Sequence, residues 1–320
     1  MSTVLKKIAQ NTLIVCLTIA LTGVLGEVLL RVKNSSQQNY IIEMWRYARE
    51  LKQISDNPRF GHLHIPNSKA TLQNVDIAIN SLGMRGPEPD LSANAPKKIL
   101  LLGSSITLGW GVPEKETLRG QLQQELKGRY QVLNGGIGNY NLARSVAQFK
   151  EHWRKKIRPD IVVVHYFVND AEDLGASIDN SIFRNSQLAV TLYHVVQGLL
   201  HGSHDMKSLT THYLDVYSSD NRGFVNMKSA LKDLVEIGKR DQFRIILAMI
   251  PDVHRLQNYP FSFVHKKMSS IAANHNLEYL DFFKSLRQYQ GRELWTIPGD
   301  PHPNAQVHAI MAKQLARFLK

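Results

Sequence analysis

The chain of 320 residues holds one cysteine, Cys16, set in an apolar segment. A lone thiol excludes an intramolecular disulfide and any cysteine-based zinc site. The 13 histidines show no metal-ligand spacing. There is no glycine-rich phosphate loop, internal repeat or low-complexity tract, so the residues imply no cofactor and no metal. Acidic residues are the scarcer charged class: 27 Asp and Glu against 39 Lys and Arg leave a formal charge of +12. Such an excess favours an acidic partner, which could be anionic lipid, acidic glycan or nucleic acid. Most of it is dispersed, and the densest cluster, Arg154-Lys155-Lys156-Ile157-Arg158, falls where a helix should end and complements its dipole. With no nucleic-acid motif present, the charge is read as a surface property and no nucleic-acid partner is expected. Hydrophobic content of 43% with 21% charged residues describes a globular protein.

What is present begins at the N-terminus. Lys6 and Lys7 precede a stretch without charge from Ile8 to Gly26, followed by Glu27, Val28-Leu29-Leu30, Arg31 and Lys33. Its strongest part, Leu13–Leu25, has the length of a signal-peptide core, and with Val28–Leu30 it reaches the roughly 20 residues that span a bilayer. Val24-Leu25-Gly26 is a tolerable cleavage site without the small-x-small pattern, so an uncleaved anchor is preferred over a removed signal. Lys6 and Lys7 favour a cytoplasmic start and an extracytoplasmic remainder, periplasmic in a Gram-negative cell; Arg31 and Lys33 dilute that bias.

Residues 34–70 read as a polar stalk with a helical part over Tyr40–Ile54, and Val75, Ile77 and Ile79 alternate as a strand. From Lys97 onward strands and helices alternate. Strands are expected at Lys98–Leu102, Tyr130–Leu133, Ile161–Phe167, Arg244–Ile250 and Leu277–Leu280. Helices are expected at Thr117–Leu126, Leu142–Lys155, Phe224–Lys239, Phe263–Asn274 and Ala305–Phe318. This rhythm predicts an α/β fold, a flavodoxin-like three-layer sandwich around a parallel sheet of about five strands, with an N-terminal transmembrane helix added. Three segments follow: 1–33 as anchor or signal, 34–95 as stalk and β-containing lead-in, and 96–320 as the main domain. The insertion 170–222, with its apolar "LAVTLYHVVQGLL", is either an extra helix capping the core or a lid.

Three expected strands end in small polar turns. Gly103-Ser104-Ser105 follows the first, "NGGIGNYN" the second, and "FVND" the third. Ser105 to Gly136 is 31 positions and Gly136 to Asn169 is 33, each about one βαβ unit, so the turns should share the carboxyl edge of the sheet. "PGDPHPN" adds Asp300 and His302 before the last helix. A serine hydroxyl needs a base to become a nucleophile, and an imidazole base needs a carboxylate to orient it. Ser105, His302 and Asp300 supply these types, with Asp252 as the second choice of acid. The backbone N–H groups of Ser105 and Gly136 and the Asn169 amide supply oxyanion donors. Ser104 is read as shaping the turn and His165 as a core histidine. Trp110 and Trp295 either line a pocket or simply pack.

These four blocks together resemble the SGNH hydrolases of the GDSL esterase/lipase superfamily. "LLGSSITLGWGV" resembles the nucleophile block, "VLNGGIGNYN" and "FVND" the two oxyanion blocks, and "DPHPN…VH" the base block. "INSLGMRGPEP" is similar to the lead-in of bacterial, membrane-anchored members. Three positions depart from the family pattern: Ser104 replaces its aspartate, Phe167 replaces a glycine, and Asp300 lies two rather than three residues before His302. The last is a variant found in some glycan-acetylating relatives. The resemblance implies a serine esterase acting through an acyl-Ser105 intermediate on O-acyl, in particular O-acetyl, esters of cell-envelope or exported glycans, with lipid esters next. Its rivals are an O-acetyltransferase acting on a glycan and a non-catalytic glycan-binding or assembly protein.

Overall fold

The computed structural model describes residues 3–175, 181–201, 206–298 and 300–320. Of the 170–222 insertion, residues 176–180 and 202–205 lie outside the described residues. The chain divides into two compact units.

The first unit comprises residues 3–46 and 181–201. Helix α1, Thr3–Lys33, is 31 residues long with none of them buried, and its apolar residues lie on every side. It is the one described helix long and apolar enough to cross a membrane. Near its end Glu27 pairs with Arg31 at 2.7 Å and accepts from Ser186 Oγ and the N–H groups of Gln187 and Leu188 at 2.9, 3.1 and 2.9 Å. Those N–H groups are orphan donors at the start of helix α2, Gln187–His201, so a carboxylate from α1 caps it.

The second unit comprises residues 47–175 and 206–320. Its centre is a five-stranded sheet of β1 (Lys97–Gly103), β2 (Tyr130–Gly136), β3 (Ile161–Tyr166), β4 (Arg244–Met249) and β5 (Glu278–Asp281) in the order β2-β1-β3-β4-β5. All four pairings are parallel, as the alternation of strands and helices required. Successive buried side chains along each strand point to opposite faces and separate two cores. Leu100, Leu102, Val162, Val164, Leu247 and Met249 face the layer holding helices Leu142–Gln148, Arg222–Asp241 and Ser262–Asn274. Ile99, Leu101, Val163 and Ile246 face the layer holding Leu118–Glu125 and Ala305–Phe318. Burying each such side chain contributes about 1.5–3 kcal/mol, and helices on both faces are what a parallel sheet demands.

Two expectations for the helices need correction. The stalk helix ends at Glu50, and Lys52–Ile54 instead pairs antiparallel with His62–His64. Leu142–Lys155 is interrupted by a π-turn at Phe149–Trp153, which lets both rings bury in the same core. The lead-in also carries a hairpin, Lys69–Leu72 with Val75–Ala78, whose turn residues Gln73 and Asn74 both have positive φ.

Candidate active site

β1 delivers Ser105 to the carboxyl edge of the sheet. The strand ends at Gly103, where a Cβ would sit 2.2 Å from Thr107 Oγ1 and 2.8 Å from the His165 carbonyl. Only glycine lets the chain turn this tightly into the short helix Ser105–Leu108, which closes on Gly109 with φ +82°. Ser104 is buried at the N-cap, but its hydroxyl makes no cap bond. Arg85 from the lead-in is buried and donates to the carbonyls of Leu108, Gly109 and Val112 at 2.9, 2.6 and 2.7 Å, fixing the exit of this turn.

His302 reaches Ser105 from the other end of the chain. Trp295–Ile297 pairs antiparallel with Asp300–Pro303, and Asn304 then caps the last helix by accepting from Gln306 and Val307. His302 Nε2 lies 2.8 Å from Ser105 Oγ, and its Nδ1 lies 2.6 Å from Asp300 Oδ1. A carboxylate can only accept, so Nδ1 carries the proton and Nε2 is left to accept from the Ser105 hydroxyl. The short Asp-x-His spacing works because the His302 backbone N–H also donates to Asp300 Oδ1, at 3.1 Å, folding both side chains to one side.

Asp300 is fully buried, yet its carboxylate is satisfied. Oδ2 accepts from Gln73 Nε2 at 2.5 Å and Trp110 Nε1 at 2.9 Å. Burial pushes its carboxyl up, but the His302 and Gln73 hydrogen bonds outweigh that and hold it below the usual aspartate value. Asp252 serves another imidazole: its Oδ1 lies 2.5 Å from His254 Nδ1. His165 is a core histidine, with Nδ1 2.9 Å from Thr107 Oγ1 and burial lowering its pKa to about 3.

The turn after β2 differs from expectation. The Gly136 N–H already donates to Asn134 Oδ1 at 3.0 Å, so it is not a free oxyanion donor. Its lack of a side chain serves packing, because a Cβ would meet Leu108 N at 2.2 Å. The next two N–H groups are also taken, Ile137 by the Gly103 carbonyl at 3.2 Å and Gly138 by Tyr47 Oη at 2.9 Å. Asn139, exposed and at φ +63°, has no acceptor for its N–H among the described residues.

Gly138 is gripped from both sides by lead-in residues. Its carbonyl accepts from His62 Nε2 at 3.0 Å and Lys52 Nζ at 3.3 Å. Tyr47 in turn donates to His64 Nε2 at 2.6 Å, and His64 Nδ1 donates to the Gly83 carbonyl at 2.9 Å. Burial lowers Lys52 to about 7, with Arg144 adding to the effect.

Asn169 sits just past β3 in the turn Val168–Ala171. Its Oδ1 is buried without a partner among the described residues. The neighbouring Asp170 is buried and accepts from the Phe167 N–H at 2.7 Å, which ties the turn down; burial pushes its carboxyl up to about 8.

Sequence reasoning missed Gln73, Tyr47, Lys52, His62 and Arg85. Only Arg85 carried a signal, as the one cation in the otherwise uncharged run "INSLGMRGP".

A profile of the GDSL-like lipase/acylhydrolase family matches residues 101–310, which include all four blocks. The chain belongs to this family. It is accordingly an ester hydrolase of the SGNH/GDSL type. No curated protein matches it by sequence. Among solved structures, it is similar to the acetyl xylan esterase AlAXEase at 15% identity, covering 70% of this chain and 100% of that one with a TM-score of 0.44. It is also similar to an acetylxylan esterase from Geobacillus stearothermophilus at 16% identity, 70% and 94% coverage and a TM-score of 0.43. A lipase/acylhydrolase from Enterococcus faecalis gives 16%, 70% and 95%, and 0.42.

Proposed function

We propose that this GDSL-family chain is a membrane-anchored, extracytoplasmic serine esterase that removes O-acyl groups, chiefly O-acetyl, from glycans of the cell envelope or exported glycans. The observation that carries the catalytic part is the continuous line from Ser105 Oγ through His302 to the buried Asp300 carboxylate.

In the first step Ser105 Oγ attacks the ester carbonyl carbon while its proton passes to His302 Nε2. Asp300 holds the imidazole in the right tautomer and stabilises the cation that forms. The developing oxyanion is met by the N–H of Ser105, the Asn169 amide and the Asn139 N–H, each such donor worth about 10²–10³ in rate. The C–O bond to the alcohol then breaks, and His302 returns the proton to that oxygen. Water repeats the sequence on acyl-Ser105, with His302 again the base, and the free acid leaves. α1 anchors the chain to the membrane, and the excess of basic residues favours acidic glycans as substrates.

The test is labelling of the full chain with a fluorophosphonate, followed by mass-spectrometric mapping. An adduct on Ser105, absent in Ser105→Ala and His302→Ala, is expected. A folded chain that takes no label would overturn the catalytic assignment. Release of acetate from an acetylated acidic glycan, rather than from a short-chain lipid ester, then tests the substrate class.

A further inference from the structure

Helix α2 is amphipathic, and its apolar face stands in the open from Leu192 to Leu200. At about 100° per residue, Leu192, Tyr193, Val195, Val196, Leu199 and Leu200 cover one side, and their exposures run from 47% to 81%. The opposite side carries Gln187, Val190, Thr191, His194 and Gln197; Gln187 and Val190 are buried in the first turn, and His194 is exposed. A helix packed on a water-soluble domain does the reverse, keeping its polar face in solvent. Six adjacent large apolar side chains amount to a patch that water does not tolerate cheaply.

The first turn of α2 states what covers that patch. It is bound to Glu27, the residue at which the uncharged run of α1 from Ile8 to Gly26 gives way to charge. Preceding contacts fix the direction. Trp45 of the same unit donates to the Phe183 carbonyl, Arg31 to the Asn185 carbonyl, and Glu27 accepts from Gln187 and Leu188. The Leu188 side chain then lies 3.6 Å from where a Cβ of Gly26 would stand. As the chain advances from 185 to 188 its partners step back along α1 from Arg31 to Glu27 and Gly26, towards the apolar stretch. α2 therefore starts where α1 leaves its apolar stretch, whose Leu21, Val24 and Leu25 are likewise exposed. At 15 residues it is about 22 Å long, too short to cross a hydrocarbon core of about 30 Å.

We infer that α2 is a second, partial membrane contact: an interfacial helix whose apolar face sits among lipid acyl chains beside the point where α1 emerges. This inference rests on the reading of α1 as a membrane anchor. The first unit would then meet the bilayer through two helices tied by one carboxylate instead of through α1 alone.

The full chain, carrying Cys16→Ser, is reconstituted in phosphatidylcholine/phosphatidylglycerol vesicles containing a nitroxide-labelled lipid. Single cysteines carry an environment-sensitive fluorophore at Val196→Cys and Leu199→Cys on α2, Leu21→Cys on α1, and the exposed Lys232→Cys of the other unit. Far-ultraviolet dichroism checks that each variant is folded. The expected result is quenching at positions 196 and 199 at least half as strong as at 21, with little at 232. Strong quenching at 21 with positions 196 and 199 no different from 232 overturns the role of α2 and leaves the anchor standing. No quenching at 21 overturns both. Quenching absent at 199 but restored by diluting the protein would show that a second copy, not lipid, covers the face.

Discussion

Trp110 donates its indole N–H to Asp300 Oδ2 at 2.9 Å, so the residue five positions after Ser105 also holds the carboxylate behind His302. Gln73 holds the same oxygen from the lead-in hairpin. Both donors favour the ionised carboxylate, and each such bond to a buried charge is worth about 1.5–3 kcal/mol. Trp110→Phe keeps the ring and removes the N–H, while Gln73→Leu removes the other donor. Each is expected to lower kcat about 10- to 100-fold on p-nitrophenyl acetate with little change in KM. The carboxyl of Asp300 should also titrate higher, moving the acidic limb of the kcat profile upward. Unchanged kcat and profile in both variants would show that Asp300 needs no support beyond His302.

Tyr47 is the equivalent support for the turn after β2. Its hydroxyl accepts from the Gly138 N–H and donates to His64, so it determines where the following Asn139 N–H points. Tyr47→Phe should retain the edge contact with Trp110, whose ring centroid is 5.5 Å away, while freeing Gly138. The expected outcome is a loss of about 10-fold in kcat, in line with a weakened oxyanion donor. A readout that a purely structural role would not move is the affinity for a phosphonate transition-state analogue, which should fall in step with kcat. If kcat falls while that affinity is kept, the turn does not serve the oxyanion.

The central strands could be read from the chain because a strand buried on both faces writes itself into sequence as a short unbroken apolar run, as in Ile99 to Leu102 and Ile161 to Val164. The spacing of Ser105, Gly136 and Asn169 followed from the length of a βαβ unit, which put three turns at one edge. The partners of Asp300 were hidden: Gln73 and Trp110 are 227 and 190 positions from it, and only packing brings them there. The choice among the glycines of "NGGIGN" was equally hidden, since it depends on where the Asn134 side chain points. Lys52–Ile54 continues a helical pattern locally and becomes a strand only because His62–His64 offers it a ladder.

Gly136→Ala separates the two roles that glycine could have. Alanine keeps the backbone N–H, so a purely donor role would survive the change. The added Cβ would instead lie 2.2 Å from Leu108 N and 2.6 Å from the Thr107 carbonyl carbon, in the helix that begins with Ser105. Backbone cannot give way as a side chain can, and overpacking of this kind costs about 1–3 kcal/mol or more. The variant should melt lower and lose at least 10-fold in labelling rate at Ser105. Gly128→Ala, at φ +79° with nothing near its Cβ, should cost stability alone. Full activity in Gly136→Ala would refute the packing argument.

Stability should fall steeply in mild acid. Burial is the first cause holding His62, His165 and His308 down to about 3 and His64 to about 4. Between about pH 4 and 6.5 the unfolded chain binds these protons and the folded chain does not, so acid favours unfolding. Each histidine contributes about 1.4 kcal/mol per pH unit across that range. Asp170 works the other way: with its folded pKa raised to about 8, the native state keeps a proton that the unfolded state loses above about 4. It offsets one of the four, leaving a slope of about 4 kcal/mol per unit between pH 5.5 and 4.5. Above neutrality the sign is the same for Lys52, whose folded pKa of about 7 lets stability rise towards pH 10. Urea unfolding at pH 4.5, 5.5 and 6.5 measures the acid slope directly. His308→Asn, which offers an acceptor for the Leu118 N–H that His308 Nδ1 now takes at 3.0 Å, should reduce it by one proton's worth. A curve flat from pH 6.5 to 4.5 would mean that these imidazoles are solvated or paired in the folded protein, and the buried cluster beside the candidate site would have to be redrawn.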